Sequence, residues 1–363
     1  MKPQDIARYR RQIMLGEVGQ TGQKKLFDAR IAVIGAGGLG SPALLYLAGA
    51  GIGHIHIIDN DDVDLSNLHR QVIHTTSRVG TSKAESAREA MLALNPTLSV
   101  SVSKTRLNWS NALSELEGFD VILDGTDNFE TRHLASWAAA THGVPHVWAS
   151  ILGFDAQLSV FHAGHGPIYE DLFPTPPPPG TVPSCSQAGV LGPVVGIVGS
   201  AMAMEALKII TGIGTPLIGK LAYYSSLEGT WEYIPVVGSP ETLAAVLERS
   251  PAVEPASGSA VASASVEVLD VSRVAEIPPG YALIDVREPA EFAAYSLPGA
   301  DNIPLSTIRQ GTVPDDVSAG KPTLIYCASG VRSAQAIVIL EAAGYSNMHS
   351  LDGGIERWLD AQH

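Results

Sequence analysis

Ile31-Ala-Val-Ile-Gly35-Ala-Gly37-Gly38-Leu-Gly40-Ser41 is an apolar run that gives way to four glycines within six residues and then to a helix start. The run reads as a buried strand. The glycines permit a tight turn and a close approach of backbone N–H groups to phosphate, and the N-terminus of the following helix adds positive potential. Beyond it, strand candidates at 54–58, 99–104, 120–123 and 145–149 alternate with helical patterns from 41, over 82–94 and from 128. Such alternation predicts an α/β fold with a parallel, doubly wound sheet. Asp59 ends the second strand, where a carboxylate can hold ribose hydroxyls. To this point the pattern suits NAD and ATP equally.

The residues that follow choose between them. Asn67 and Arg70 stand one helical turn apart in Ser66-Asn-Leu-His-Arg-Gln71, and Lys83 follows in Gly80-Thr-Ser-Lys-Ala-Glu85. A redox dinucleotide needs no such group of cations and amide. A triphosphate that loses pyrophosphate does, because charge accumulating on its bridging and leaving oxygens must be met by preplaced donors. Asp124-Gly-Thr-Asp127-Asn128 ends a third strand at the same sheet edge, where a carboxylate can hold Mg²⁺ against the phosphates. Each residue alone has a plainer reading: Arg70 and Lys83 as solvated charge, Asp127 as a helix N-cap.

Arg8-Tyr-Arg-Arg11-Gln12, the 35–40 turn, the 66–71 stretch, Lys83 and Gly125-Thr-Asp127-Asn128 together resemble the adenylyltransferases that activate ubiquitin-like sulfur-carrier proteins. These include the molybdopterin-synthase adenylyltransferases and are relatives of the ubiquitin-activating enzymes. Ser184-Cys185-Ser-Gln-Ala-Gly-Val-Leu-Gly-Pro-Val194 and Ala203-Met-Glu-Ala-Leu-Lys208 extend the match over about residues 5–235. The resemblance implies a Rossmann-like adenylating domain that uses ATP and Mg²⁺ on the C-terminal Gly-Gly carboxylate of the carrier. Its nucleotide site would comprise Gly38, Gly40, Asp59, Asn67, Arg70, Lys83, Asp127 and Asn128, with Asp127 the magnesium ligand. It further implies a homodimer in which Arg11 reaches the neighbour's site. Cys185 falls where several relatives carry a cysteine proposed to bond with the carrier; a small residue leading into a buried helix is the competing reading.

One departure concerns metal. Family members commonly bind structural zinc through two Cys-x-x-Cys pairs. The place of the first pair here reads Gly166-Pro-Ile-Tyr-Glu-Asp-Leu-Phe173 and the second pair is missing. His162 and His165 have ligand-like spacing but no thiolate partners, so no zinc is expected.

Near the C-terminus, Tyr326-Cys-Ala-Ser-Gly-Val-Arg332-Ser333 places a cysteine between a strand and a helix, in a short loop closed by arginine. Loop N–H groups, the helix terminus and Arg332 all favour a thiolate or persulfide anion at Cys327. Together with Ile284-Asp-Val-Arg-Glu-Pro-Ala-Glu291-Phe292, Leu297-Pro-Gly-Ala-Asp-Asn-Ile-Pro-Leu305 and Leu351-Asp-Gly-Gly-Ile355, the segment resembles rhodanese domains, a smaller α/β fold. The resemblance implies a Cys327 persulfide charged by a sulfur donor such as thiosulfate or a cysteine-desulfurase persulfide. Tyr295-Ser296 stands where rhodaneses usually have Gly-His, which bears on how the donor docks.

Residues 238–265 hold 18 Ala, Ser, Pro or Gly among 28, with no aromatic. This composition reads as a flexible linker, with a root-mean-square reach of roughly 30 Å. The organisation is therefore 1–238 adenylating, 239–265 linker and 266–363 rhodanese. A net charge of −14 provides no basic face for nucleic acid. Two cysteines and an N-terminus without a signal-peptide pattern predict a reducing, cytoplasmic setting. The apolar run at 188–204 contains Pro193 and meets Glu205 and Lys208, so it predicts a buried helix rather than a membrane span. An NAD-dependent oxidoreductase fused to a rhodanese, and a non-catalytic carrier-binding module, are the competing functional classes.

Overall fold

The computed structural model describes residues 3–176, 189–249, 267–270 and 277–360. The chain divides into two compact units, Met1–Pro255 and Ala256–His363.

Unit one is built on an eight-stranded sheet of order β3-β2-β1-β4-β5-β6-β7-β8. Its strands are β1 (Arg30–Ile34), β2 (His54–Ile58), β3 (Ser99–Ser103), β4 (Val121–Asp124), β5 (His146–Leu152), β6 (Asp155–Phe161), β7 (Lys220–Ser225) and β8 (Thr230–Pro235). Strands β3, β2, β1, β4 and β5 are parallel, and β6 to β8 extend the sheet antiparallel. The helices are α1 (Pro3–Ile13), α2 (Gly19–Asp28), α3 (Gly40–Ala50), α4 (Lys83–Leu94), α5 (Ala112–Glu115), α6 (Phe129–His142), α7 (Tyr169–Leu172), α8 (Gly192–Thr211) and α9 (Pro240–Leu247). β1 buries four of its five residues because parallel strands are covered on both faces. One face packs Val33, Ile55 and Leu123 against Leu44, Val198 and Met202 of α3 and α8; the other packs Ile34 and Ile122 against Leu134 and Ala138 of α6. α8 is long and apolar enough to cross a bilayer, yet half of its most apolar window is buried inside the protein. It is a core helix, as the sequence predicts.

The segment from 239 departs from the linker reading. Ser239 caps α9, its Oγ accepting from the Thr242 N–H at 3.1 Å, and Pro240 occupies the first turn. Val246 is buried against α6, and Arg249 reaches Glu170 at 2.8 Å. The linker composition holds as an average over 28 residues, but Ser-Pro-Glu at its start is a local helix-start signal that the average conceals. The rest of that stretch, from 250, lies outside the described residues, as does Cys185.

The turn that replaces the first cysteine pair supplies an ionic tie. Glu170, buried at 2% exposure, accepts from Ser136 Oγ at 2.6 Å and Arg249 Nη1 at 2.8 Å and lies 3.0 Å from His133 Nδ1. Asp171 accepts from the backbone N–H groups of Ile168 and Ser239. α6, α7 and α9 are thereby joined through carboxylates.

Unit two has a parallel five-stranded sheet of order β11-β10-β12-β13-β9, with β9 Val268–Leu269, β10 Ala282–Asp285, β11 Asp301–Asn302, β12 Thr323–Tyr326 and β13 Met348–Leu351. Ile284, Ile325 and Val286 pack against Ala336, Ile337 and Leu340 of the Val331–Ala342 helix.

Burial alone would raise the Glu170 pKa, but hydrogen bonds from His133 and Ser136 and the charge of Arg249 hold it below the ordinary glutamate value. The depressed carboxyl therefore contributes stability that is present above the unfolded pKa and lost as pH falls through the folded one. Denaturant unfolding of the chain against pH should show stability declining below the ordinary glutamate range. Glu170→Gln should flatten that decline and cost about 3–5 kcal/mol at neutral pH, as loss of a buried ion-pair partner does. A slope unchanged from wild type would contradict the tie.

Candidate active sites

β1 runs straight into the glycine turn, which two glycines make possible. Gly35 adopts φ +89°, and a Cβ on Gly40 would overlap the Gly35 carbonyl oxygen. The turn is held from beneath. Asp59, at the end of β2, accepts from the Ala36 N–H at 2.7 Å and the Asp61 N–H at 2.9 Å. Burial holds its carboxyl above the ordinary aspartate value, although these N–H groups and the Lys83 charge pull against it. His74 Nε2 lies 2.9 Å from the Ala36 carbonyl, which can only accept, so Nε2 carries the proton and Nδ1 accepts from Ser86 Oγ at 2.9 Å. Burial lowers the His74 pKa and keeps that tautomer neutral.

Above the turn lies a cavity of about 410 Å³, across the C-terminal ends of β2, β1, β4 and β5. Gly38, Asp59, Arg70, Lys83, Asp127 and Asn128 all line it, six of the eight nucleotide-site residues expected from the sequence. Gly40 is part of the turn below. Asn67 stands behind the wall, its Oδ1 accepting from Nε2 of the lining Gln71 at 2.8 Å. The N-cap of α6 is Asn128, whose Oδ1 accepts from the Thr131 N–H at 2.8 Å. The capping role therefore does not occupy Asp127, which is exposed and takes no hydrogen bond from the described residues.

Lys83 is 7% exposed and pairs with Asp61 at 2.9 Å, while Arg70 donates only to the Ser66 carbonyl among oxygen acceptors. Of these two cations at the cavity wall, Lys83 rests on a carboxylate and Arg70 does not. Asp61, His74 and Arg132 belong to this site but carry no distinct sequence signal. Asp61 is one of four acidic residues between 59 and 64, and His74 and Arg132 lie outside every motif quoted above. Arg11 is exposed on α1 and does not line the cavity of its own chain.

No cluster of three or more His, Cys, Asp or Glu suited to a metal occurs among the described residues. On nucleotides Mg²⁺ is held mainly by phosphate oxygens and one or two carboxylates. Asp127, uncommitted at the cavity wall, has the right chemistry for that contact.

In unit two, Cys327 closes β12 and is 1% exposed. Its Sγ receives the Gly330 N–H at 3.2 Å and lies 3.7 Å from Ser333 Oγ. Ser333 donates to the Gly330 carbonyl at 2.9 Å and contacts Ser350 Oγ at 2.8 Å. The Leu351–Ile355 motif backs the loop: Ile355 N–H donates to the Cys327 carbonyl at 2.9 Å, and a Cβ on Gly354 would overlap the Ala328 carbonyl. Arg332 does not bond to the sulfur. Its two terminal nitrogens fork onto Glu291 at 2.7 and 2.8 Å, which outweighs the effect of burial and holds the Glu291 carboxyl below its ordinary value. Tyr295 contributes its carbonyl to Arg287 at 2.6 Å, so the unusual position is wired to the buried Arg287–Asp285 pair.

The ThiF family model matches residues 9–244, and a rhodanese-like domain model matches 272–361. The chain belongs to the ThiF family. It is 44% identical over 370 residues to the probable adenylyltransferase/sulfurtransferase MoeZ of Mycobacterium tuberculosis, covering 98% of this chain and 93% of that one. The adenylyltransferase and sulfurtransferase MOCS3 of Drosophila grimshawi is 37% identical over 98% of this chain and 84% of its own length. The sulfur carrier protein adenylyltransferase of Thermus thermophilus is 46% identical over 65% of this chain and 89% of its own. The Escherichia coli microcin C7 biosynthetic enzyme MccB, solved with N-formylated MccA, shares the fold at TM-score 0.59 and 24% identity, over 64% of this chain and 73% of that one.

Asp127→Ala removes one preplaced charged group from the phosphate site. Carrier-dependent ATP–pyrophosphate exchange should fall by roughly 10²–10³ with the thermal midpoint unchanged. Wild-type exchange in this variant would remove Asp127 from the site.

Proposed function

We propose that the chain adenylates the C-terminal Gly-Gly carboxylate of a ubiquitin-like sulfur-carrier protein and then converts it to a thiocarboxylate. The observation that carries this reading is the convergence of Arg70, Lys83 and the uncommitted Asp127 over the glycine turn, in one chain with the Cys327 loop. NAD would have no use for these cations, and a mere binding module would have no use for Asp127.

A carboxylate oxygen of the carrier attacks the α-phosphorus of ATP. The bond to the bridging oxygen breaks, and pyrophosphate leaves with the electron pair. Arg70 and Lys83 neutralise the charge that develops. Lys83 is held by Asp61 until phosphate oxygens draw it over. Mg²⁺, when bound through Asp127, neutralises phosphate charge.

In the second stage the terminal sulfur of a Cys327 persulfide attacks the acyl carbon, and AMP leaves. A thiol then attacks the Cys327 sulfur of the acyl disulfide, supplies the two electrons and releases the thiocarboxylate. Thiosulfate or a cysteine-desulfurase persulfide charges Cys327. The Gly330 N–H stabilises the anionic sulfur, and Arg332 acts by charge from its Glu291 fork.

The working unit is a cytoplasmic homodimer in which Arg11 serves the neighbour's cavity. The exposure of Arg11, and of Tyr46, Ile197 and Met204 on the mutually packed α3 and α8, supports it. No zinc is part of this reading; at the place of the first cysteine pair, Glu170 and Asp171 tie α6, α7 and α9.

Cys327→Ser should abolish thiocarboxylate formation from a persulfide donor while pyrophosphate exchange stays at the wild-type rate. Excess free sulfide, which can attack the adenylate directly, should restore thiocarboxylate in part. Mass spectrometry of the carrier reads both outcomes. Wild-type thiocarboxylate formation by this variant without sulfide would make unit two an accessory.

A further inference from the structure

Phosphates and the acceptor carboxylate are both anionic, and adenylation requires them to meet. Arg70 and Lys83 serve the phosphates, so the carboxylate needs a cation of its own. Across the sheet edge the strands end in the order β2, β1, β4, β5. Asp59, for ribose, stands at one end of that row and Ser150, on β5, at the other.

Arg132 lines the cavity at the Ser150 end and is 5% exposed. Its Nε and Nη2 donate to the Thr126 carbonyl at 3.2 and 2.9 Å, and Nη2 also reaches Ser150 Oγ at 3.2 Å. The guanidinium lies over the Phe129 and Trp148 rings. Among the described residues no carboxylate contacts it. Asp124 is the nearest acidic influence, but its oxygens are committed to Thr126 and His146. A buried guanidinium set among a carbonyl, a hydroxyl and the Tyr169 phenol, with no carboxylate on it, has charge available to an anion that enters the cavity.

We propose that Arg132, with Ser150 beside it, receives the C-terminal carboxylate of the acceptor and offsets its repulsion from the triphosphate. This rests on the adenylation reading and adds to it a residue specific for the acceptor. Because Arg132 also holds the Thr126 carbonyl, one residue before Asp127, it couples the acceptor end of the cavity to the nucleotide end.

The test uses the full chain and a Gly-Gly-ending carrier that supports pyrophosphate exchange by wild type, prepared with its natural carboxylate and as the C-terminal amide. Exchange by wild type checks the adenylation reading separately. Binding without ATP then tests Arg132. Wild type should bind the carboxylate form at least about tenfold more tightly than the amide. Arg132→Gln should bind the two alike, the coupling between guanidinium and terminal carboxylate read as a double-mutant cycle. Undiminished discrimination would overturn the proposal and leave Arg132 as a brace for the Thr126 turn. If the glutamine variant does not fold, Arg132→Lys carries the test: without the planar fork it should discriminate less than wild type, and equal discrimination overturns the proposal.

Discussion

The contact between Gly40 and the Gly35 carbonyl is the constraint on which the rest of unit one depends. No side chain fits between them, so β1 can turn into α3 only with glycine at that point. The turn is stable because other elements finish its hydrogen bonding. Asp59 from β2 takes the Ala36 N–H, and His74 takes the Ala36 carbonyl. A backbone that would otherwise be free to refold around its glycines is fixed before any phosphate arrives, which is the condition for electrostatic preorganisation.

The same economy of charge recurs around both reactive centres. Lys83 waits on Asp61, Arg332 on Glu291 and Arg287 on Asp285. Each cation is positioned by a carboxylate, since a buried cation left unpaired is costly to the fold. Arg132, buried at the nucleotide cavity, is held instead by a carbonyl, a hydroxyl and two aromatic rings. At the place expected for a first cysteine pair, Glu170 and Asp171 tie α6, α7 and α9 by hydrogen bonds and charge.

Much of this was legible in the sequence because it depends on backbone conformation and sheet period. The strand-turn-helix at 31–41, the parallel alternation and the cysteine loop at 327–332 all carry local signals. Arg132, His74 and Asp61 did not announce themselves, because their roles come from which strands become neighbours, and a pattern along the chain does not record adjacency. α9 was obscured for a different reason: a composition averaged over a long window outweighed a three-residue cap. Asn128 and Asp127 show a third limit. Both residue types cap helices well, and only the built turn shows that Asn128 does so and leaves Asp127 for the cavity.

The central claim, that activation in unit one is followed by sulfur delivery from Cys327, is tested most directly by a pulse and chase. Cys327 is loaded with isotopically heavy persulfide, donor is removed, carrier is added with or without ATP, and mild thiol follows only after ATP has been removed. Intact-mass spectrometry then follows the heavy sulfur. It should leave the enzyme and appear in the carrier's terminal thiocarboxylate only when ATP is present. Heavy sulfur that stays on Cys327 with ATP, or that reaches the carrier terminus without it, would contradict the account.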